Sequence, residues 1–301
     1  MASSPFQNVI PDSRVFRQVS LRDYSTMRVG GPADYMIEPT CEDEIMKTLH
    51  AAKAASIPVC VVGNGSNLLF SDAGFRGVIL HIGKAYSRVE RDGLRICAQS
   101  GALLSSVSRL AAEEGLSGME FASGIPGSTG GAVYMNAGAY GGEIAQVLET
   151  ATVYTDNHVE TWDNEQMRFS YRHSAAMEKE CVILSAAFML KAGDKEEIFA
   201  RMNDLNSRRR EKQPLQYPSC GSFFKRPEGH FAGALIEQAG LKGYSVGDAQ
   251  VSEKHAGFII NRGNATARDI RALMRHVQST VLRESGVMLE PEVRFVGSFD
   301  A

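Results

Sequence analysis

The chain has 301 residues, of which 44% are hydrophobic and 22% charged, and its formal net charge is −3 at pH 7. That length accommodates two domains, because single cores stop growing near about 250–300 residues. The composition is that of an ordinary packed globular protein, and the weak negative charge removes any electrostatic case for nucleic-acid binding. The cysteines at 41, 60, 97, 181 and 220 are odd in number and form no C-x-x-C pair, and no H-x-H or H-E-x-x-H pattern occurs. Reduced cytosolic thiols fit this usage better than a disulfide framework or a zinc site. Met1–Asn8 has no basic region leading into an apolar one, and the apolar stretch Ile183–Leu190 is too short to cross a bilayer. A cytoplasmic protein without membrane, metal or nucleic-acid partners is expected.

In chain order, Thr40–Asp43 resembles a capping box, and the alanine-rich run to Ala55 behind it predicts a helix. Ile57–Val62 predicts a short strand ending at glycine. Gly93–Gln99 predicts another strand, and Leu103–Glu114 a helix stopped by Gly115. Eight glycines follow between Gly118 and Gly142, with no charged residue from Ala122 to Gly142. Strand patterns return at Glu149–Thr155 and Cys181–Leu190. A charged helix, Asp194–Lys212, is ended by Pro214, which sets the expected boundary between residues 1–212 and 213–301. The C-terminal part predicts a helix near Phe231–Ala239 and a strand at Gly257–Asn261. Beyond them, Thr266–Ser285 predicts a long amphipathic helix stopped by Gly286, and Val287–Val296 a final strand. The fold class expected is α+β.

Two segments look built to bring backbone against a ligand. In Val61-Val-Gly-Asn-Gly-Ser-Asn-Leu-Leu69 a strand runs into a turn, where Gly63 and Gly65 permit positive φ and remove obstructing Cβ atoms. Ser66 and Asn67 add side-chain donors. Leu68 occupies the third glycine position of the usual dinucleotide fingerprint, and the chain has no G-x-x-x-x-G-K-[ST] loop. Taken alone, GNGSN fits a structural turn equally well. The uncharged run 122–142, with seven glycines, exceeds what a turn needs and predicts extended backbone lining a large flat ligand.

GNGSNLLFSD (63–72) and SGIPGSTGGAVYMNAGAYGGE (123–143) closely resemble the FAD-binding signatures of the UDP-N-acetylenolpyruvoylglucosamine reductase family. The resemblance continues through STMRVGGPADYMIEP (25–39), FSYRHS (169–174), PSCGSFFKRP (218–227), GDAQVSEKHAGFIIN (247–261) and LEPEVRFVG (289–297). It implies a two-part FAD-binding region over 1–212, similar to the vanillyl-alcohol-oxidase (PCMH-type) group. A smaller α+β substrate domain over 213–301 is implied as well, with the last strand packing back at the active site. The implied cofactor residues are Gly63, Asn64, Gly65, Ser66, Asn67, Leu68, Ser123, Gly124, Ile125, Gly127, Ser128, Gly131 and Ala132. The first glycine loop has no histidine between Val61 and His81, which fits noncovalent FAD.

The activity implied is NADPH-dependent reduction of UDP-N-acetylglucosamine enolpyruvate to UDP-N-acetylmuramate, for peptidoglycan. A hydride would pass from NADPH to flavin N5 and on to C3 of the enolpyruvyl group, leaving charge at C2 to be stabilised and then protonated. By resemblance, Arg172 stabilises that charge, Ser222 is the proton donor, and Glu292 is the third catalytic residue, as an acid or an electrostatic organiser. Read alone, Arg172 is better taken as a surface salt bridge, Ser222 as a turn serine, and Glu290, Glu292 and Arg294 as one solvated strand face. Tyr171, Lys225 and Arg226 are the substrate-binding candidates, and Cys220 is read as packing. The short connection from Arg172 to Cys181 places the chain with a shorter subtype that lacks a substrate-clamping loop. The Arg172, Ser222 and Glu292 set argues against a sugar or alcohol oxidase of the same fold, and a non-enzymatic flavin module leaves the C-terminal motifs without a purpose.

Overall fold

The computed structural model of the chain describes residues 5–6, 9–11 and 14–299. Most of Met1–Asn8, read above for a signal sequence, lies outside them. Helices and short strands are mixed throughout, an α+β fold, and packing divides the chain into two compact units. The first holds the described residues up to Phe16, then Tyr35–Asn64 and Val78–Arg209; the second holds Arg17–Asp34, Gly65–Gly77 and the described residues from Arg210 onward. Two segments that a linear division at 212/213 assigns to the N-terminal region, 17–34 and 65–77, thus pack in the second unit.

The first unit is built on an antiparallel five-stranded sheet in the order His158–Asp163, Leu148–Thr155, Cys181–Met189, Arg95–Gln99, Val89–Asp92. Its central strand is a nearly continuous apolar run, as a strand covered on both faces must be. Ile183, Ala186 and Phe188 join one core with helix α2 (Leu104–Glu113) and helix α3 (Thr129–Tyr134), while Val182 and Leu184 join another. That other core lies around helix α1 (Glu42–Ala54) and the parallel pair Val59–Val62 and Phe75–His81, in register from Val59 opposite Val78. Helix α4 (Lys195–Lys212) opens with Asp194, whose carboxylate accepts the Glu197 N–H at 3.0 Å.

The capping box expected at Thr40–Asp43 does not form. Cys41 precedes α1 and makes no side-chain cap. Glu44 folds back instead, accepting the Thr40 N–H at 2.7 Å and the Thr40 hydroxyl at 2.9 Å while Arg14 grips both its oxygens. Thr40 therefore donates where a capping residue would accept. The Arg14 guanidinium holds the Glu44 carboxyl down at about 2.

In the second unit, helix α5 (Ala232–Gln238) and helix α6 (Ala267–Ser285) pack with a three-stranded antiparallel sheet, Ser245–Val246, Ala249–Val251 and Ile259–Asn261. Helix α6 buries Ala267, Ile270, Leu273, Met274, Val277 and Val281, one face of a 3.6-residue period. Thr266 and Asp269 form a reciprocal capping box at 3.0 Å each way, and Gly286 ends the helix at φ 74°. Asp72 adds a second cap, accepting the N–H groups of Ala267 and Arg268 at 2.8 and 2.9 Å.

The final strand is shorter than expected, covering only Arg294–Val296, parallel to Leu68–Phe70. Before it the chain changes partner. Lys225 donates its N–H to Glu290 O at 2.8 Å, Phe224 bridges Pro291, and Glu292 donates to Phe223 O at 2.9 Å. Proline has no N–H for a continuous ladder, so the edge breaks there.

Candidate active site

The first glycine loop is divided between the units, with Gly63 and Asn64 in one and Gly65 through Leu68 in the other. In the first unit, Gly63 lies against Ser128 of the second glycine segment. A Cβ at Gly63 would stand 2.0 Å from Ser128 Oγ and 2.9 Å from Ser128 Cβ. Asn64 Nδ2 donates to Pro126 O at 2.6 Å, so the two predicted FAD loops adjoin. The segment 122–142 is not extended throughout, as its glycines suggested. Ser128 caps the short helix α3, whose first N–H groups are tied back: Thr129 to Ala102 O at 2.7 Å and Gly130 to Ser100 O at 2.9 Å. Close approach to residues 100–102 needs the missing Cβ of Gly130, which would meet Ser100 Cβ at 2.7 Å.

Around this turn sit Ser123, Gly124, Ile125, Gly127, Gly131 and Ala132. Ala132 is buried in the core, leaving only its backbone for a ligand. The Ser123 and Ser100 hydroxyls are buried without a hydrogen-bond partner, a state that costs about 1–3 kcal/mol each unless a ligand or water satisfies them. Orphan hydroxyls beside adjoining glycine loops fit a polar, phosphate-bearing cofactor such as FAD. Ser100 was not singled out from the sequence. Nor was Arg209, whose Nε would lie 2.8 Å from a Gly124 Cβ and whose guanidinium faces the Tyr140 ring at 5.8 Å. Burial pulls its pKa below the ordinary arginine value. A signal for Arg209 existed: the buried positions Ile198, Met202 and Leu205 of α4 extend by one more helical step to 209.

Arg172 occupies the tip of a tight turn in which Ser170 and His173 exchange both backbone bonds at 3.1 Å. Its φ of 56° is a conformation usually left to glycine or asparagine. The glycine-rich segment holds this turn. Buried Asn136 donates to Ser170 O at 3.0 Å and accepts the Ala145 N–H at 2.9 Å, while Ser174 Oγ donates to Tyr134 O at 2.7 Å. The guanidinium donates to Gly138 O at 3.2 Å and stands 5.1 Å from the ring centre of Tyr171, itself exposed. The turn thus fixes where this cation stands.

The second unit brings Ser222 and Glu292 onto adjacent backbone. Gly221 has φ 74° and nothing near its Cβ position, so glycine serves the turn's conformation. Ser222 is exposed, while Phe223 and Phe224 are buried edge to face with centroids 5.4 Å apart and anchor the turn in the core. Phe223 donates to Gly257 O at 2.8 Å and accepts from Glu292 N–H at 2.9 Å. Asn67 Nδ2 donates to Glu292 O at 3.1 Å, and Asn67 O accepts the Arg294 N–H at 3.0 Å. The first glycine loop and the two catalytic candidates of this unit therefore share one hydrogen-bonded strip. Cys220 is buried; burial pushes its thiol up to about 12, and Sγ donates to Leu68 O at 3.2 Å. A thiol that stays protonated at neutral pH is packing, as read from the sequence.

Among the substrate candidates, Lys225 pairs with Glu290 at 3.2 Å, and Arg226 lies 4.0 Å over the ring of exposed Phe231. Among the described residues no cluster of His, Cys, Asp and Glu could hold a metal ion, and no helix is long and apolar enough to cross a membrane.

A FAD binding domain matches residues 33–160, and the fold and site define a flavin-dependent oxidoreductase. The C-terminal domain of UDP-N-acetylenolpyruvoylglucosamine reductase matches residues 213–296. The reductase of that name from Agathobacter rectalis is 52% identical, over 96% of each chain, and one from Clostridium botulinum is 46% identical over 97% of this chain and 96% of its own. The crystal structure of the Thermus caldophilus enzyme superposes with a TM-score of 0.82 at 38% identity, covering 94% of this chain and 99% of that one. The chain belongs to the UDP-N-acetylenolpyruvoylglucosamine reductase family. A cholesterol oxidase at 16% identity and TM-score 0.50, covering 63% of this chain, shares the fold alone.

Proposed function

We propose that this protein reduces UDP-N-acetylglucosamine enolpyruvate to UDP-N-acetylmuramate in the cytoplasm, with NADPH as hydride donor, in the supply of peptidoglycan precursor. The observation that carries this reading is the strip in which Asn67, Phe223 and Glu292 are joined by backbone and amide hydrogen bonds beside Ser222. FAD held at the two glycine loops would supply the hydride chemistry that links NADPH to C3 of the enolpyruvyl group. Gly63 and Asn64, with the 123–132 turn, would hold the cofactor, and Gly65 through Leu68 are further candidates for that role.

Arg172 binds the enolpyruvyl carboxylate, and its fixed charge favours the enolic state more than the ground state, which lowers the barrier. Ser222, exposed on a turn clamped by two buried phenylalanines, delivers the proton to C2 from one face. Glu292 sits one hydrogen bond from that turn and supports the serine's acidity by orienting charge around it. Arg226, on its aromatic shelf, and Lys225 meet the diphosphate, with Tyr171 beside the reacting group.

An absorbance experiment tests the reading. The yellow protein should bleach with NADPH under anaerobic conditions and recover its colour on addition of the enolpyruvyl nucleotide. In Ser222→Ala, bleaching should stay near the wild-type rate while recovery slows. Colour restored by oxygen alone and never by the nucleotide would overturn the assignment in favour of an oxidase.

A further inference from the structure

We infer that Thr26 is a positioning residue that sets the proton-donor turn in register with the first glycine loop. The inference rests on the functional reading above and concerns the second unit only. Thr26 reaches both partners at once. Its N–H donates to Gly65 O at 3.2 Å, and its hydroxyl donates to Ser219 O at 2.7 Å, three residues before Ser222. The loop lies directly against this segment: Gly65, at φ 58°, packs so closely that a Cβ there would stand 1.9 Å from Tyr24 O.

Neighbouring bonds close the same junction. Buried Ser25 donates to Leu68 O at 3.2 Å, the acceptor that Cys220 Sγ also uses. From the far side, Asn261, buried, donates to Met27 O at 3.1 Å and through its backbone N–H to Pro218 O at 2.9 Å. Residues 25–27 are thus a short splint between the loop at 65–68 and the segment 218–220 that leads into Gly221 and Ser222. The buried phenylalanines anchor the turn beyond Ser222, and Gly221, at φ 74°, separates Ser222 from the entry at 218–220, which is held from outside the turn. The Thr26 hydroxyl is the one side-chain group of the splint that donates to the backbone of that entry at a normal hydrogen-bond distance. Proton delivery needs a donor placed to within a fraction of an ångström, and a small displacement lowers the rate by one or two orders of magnitude.

Thr26→Val removes the hydroxyl and keeps the shape, and Thr26→Ser restores it. In Thr26→Val, recovery of the bleached flavin by the enolpyruvyl nucleotide should slow about tenfold, with NADPH bleaching unchanged; Thr26→Ser should return recovery toward wild type. In flavin-free protein, hydrogen–deuterium exchange of amides 219–224 should rise in Thr26→Val and not in Thr26→Ser, with α6 unaffected in both. Should the valine variant fold poorly, Thr26→Ala provides the same two measurements. Wild-type recovery and exchange in the hydroxyl-free variants, or equal losses in both half-reactions that track melting temperature, would overturn the inference. A wild-type protein whose reduced flavin ignores the nucleotide would defeat the functional reading instead, and the exchange comparison, which needs no substrate, would still decide the role of Thr26.

Discussion

Asn67 donates its side-chain N–H to the carbonyl oxygen of Glu292 at 3.1 Å, while its own carbonyl accepts from Arg294 at 3.0 Å. A residue of the first glycine loop therefore fixes the backbone on both sides of Val293, and Glu292 is held from its other side by Phe223. Removing the amide in Asn67→Ala takes this hydrogen bond from the Glu292 carbonyl, at a cost of about 1 kcal/mol. If that strain falls on Glu292, recovery of reduced flavin by the nucleotide should slow about fivefold, the rate equivalent of the same energy. Stopped-flow absorbance reads this directly; an unchanged recovery rate with lost flavin would show that Asn67 acts only at the cofactor.

Gly63 and Gly131 both neighbour Ser128, yet only one of them is required by the fold. A methyl group at Gly63 would collide with Ser128, so Gly63→Ala should destabilise the protein by about 1–3 kcal/mol. Gly131 is an exposed residue of α3 whose added Cβ would meet nothing closer than 3.4 Å. Alanine there should raise stability by about 0.5–1 kcal/mol, since glycine is unfavourable inside a helix. If its backbone instead faces the cofactor, Gly131→Ala should melt no lower than wild type while binding FAD more weakly. Calorimetry on flavin-free protein and a flavin titration separate the two effects.

Helix α6 was legible in the sequence because everything that makes it is local: Thr266 and Asp269 at one end, Gly286 at the other, and apolar residues at helical spacing between. The last strand was not, because its alternation of Glu290, Glu292 and Arg294 is real while its pairing partners are remote and change at Pro291. Catalytic roles for Arg172, Ser222 and Glu292 came from motif resemblance alone. No periodicity distinguishes Arg172 from other arginines, and its φ of 56° is nearly that of Arg28 at 57°; what marks it is the turn held by Asn136. The joining of 17–34 and 65–77 to the C-terminal segment was hidden for a similar reason: contacts across some two hundred residues leave no local pattern.

The strained turn at Arg172 predicts an ordering between two truncations. Arg172→Ala and Arg172→Gly lose the same guanidinium contacts, including that to Gly138 O. Only glycine adopts φ near 56° without penalty, so the glycine variant should be more stable than the alanine variant by about 1 kcal/mol. Both should keep the yellow colour and lose most nucleotide-dependent recovery. Urea denaturation of the pair measures the first expectation. An alanine variant as stable as the glycine one would mean that the turn relaxes once the side chain is gone.

His255 should make the second unit sensitive to acid. The Gly257 N–H donates to its Nδ1 at 3.1 Å, so that nitrogen must carry a lone pair and the ring must be neutral. Burial lowers its pKa below the ordinary 6.5 and nearby Lys242 lowers it further, while a hydrogen bond to its own backbone and the charge of Glu237 oppose them. The unfolded chain therefore takes up the proton first as pH falls. The stabilising contribution of neutral His255 is complete above about 6.5 and is lost as pH drops toward the depressed folded value. His158 shifts upward and acts with the opposite sign near the same range, whereas Glu44, held at about 2, acts only in stronger acid. Comparing wild type with His255→Gln isolates the term, because both other groups cancel in the difference. Between pH 7.5 and 5 the wild type should lose melting temperature more steeply than the variant. Since Gly257 O accepts from Phe223 beside Ser222, nucleotide-dependent recovery should weaken over the same interval. Parallel melting curves would show that His255 keeps its proton count unchanged on unfolding and that the Gly257 contact does not depend on it.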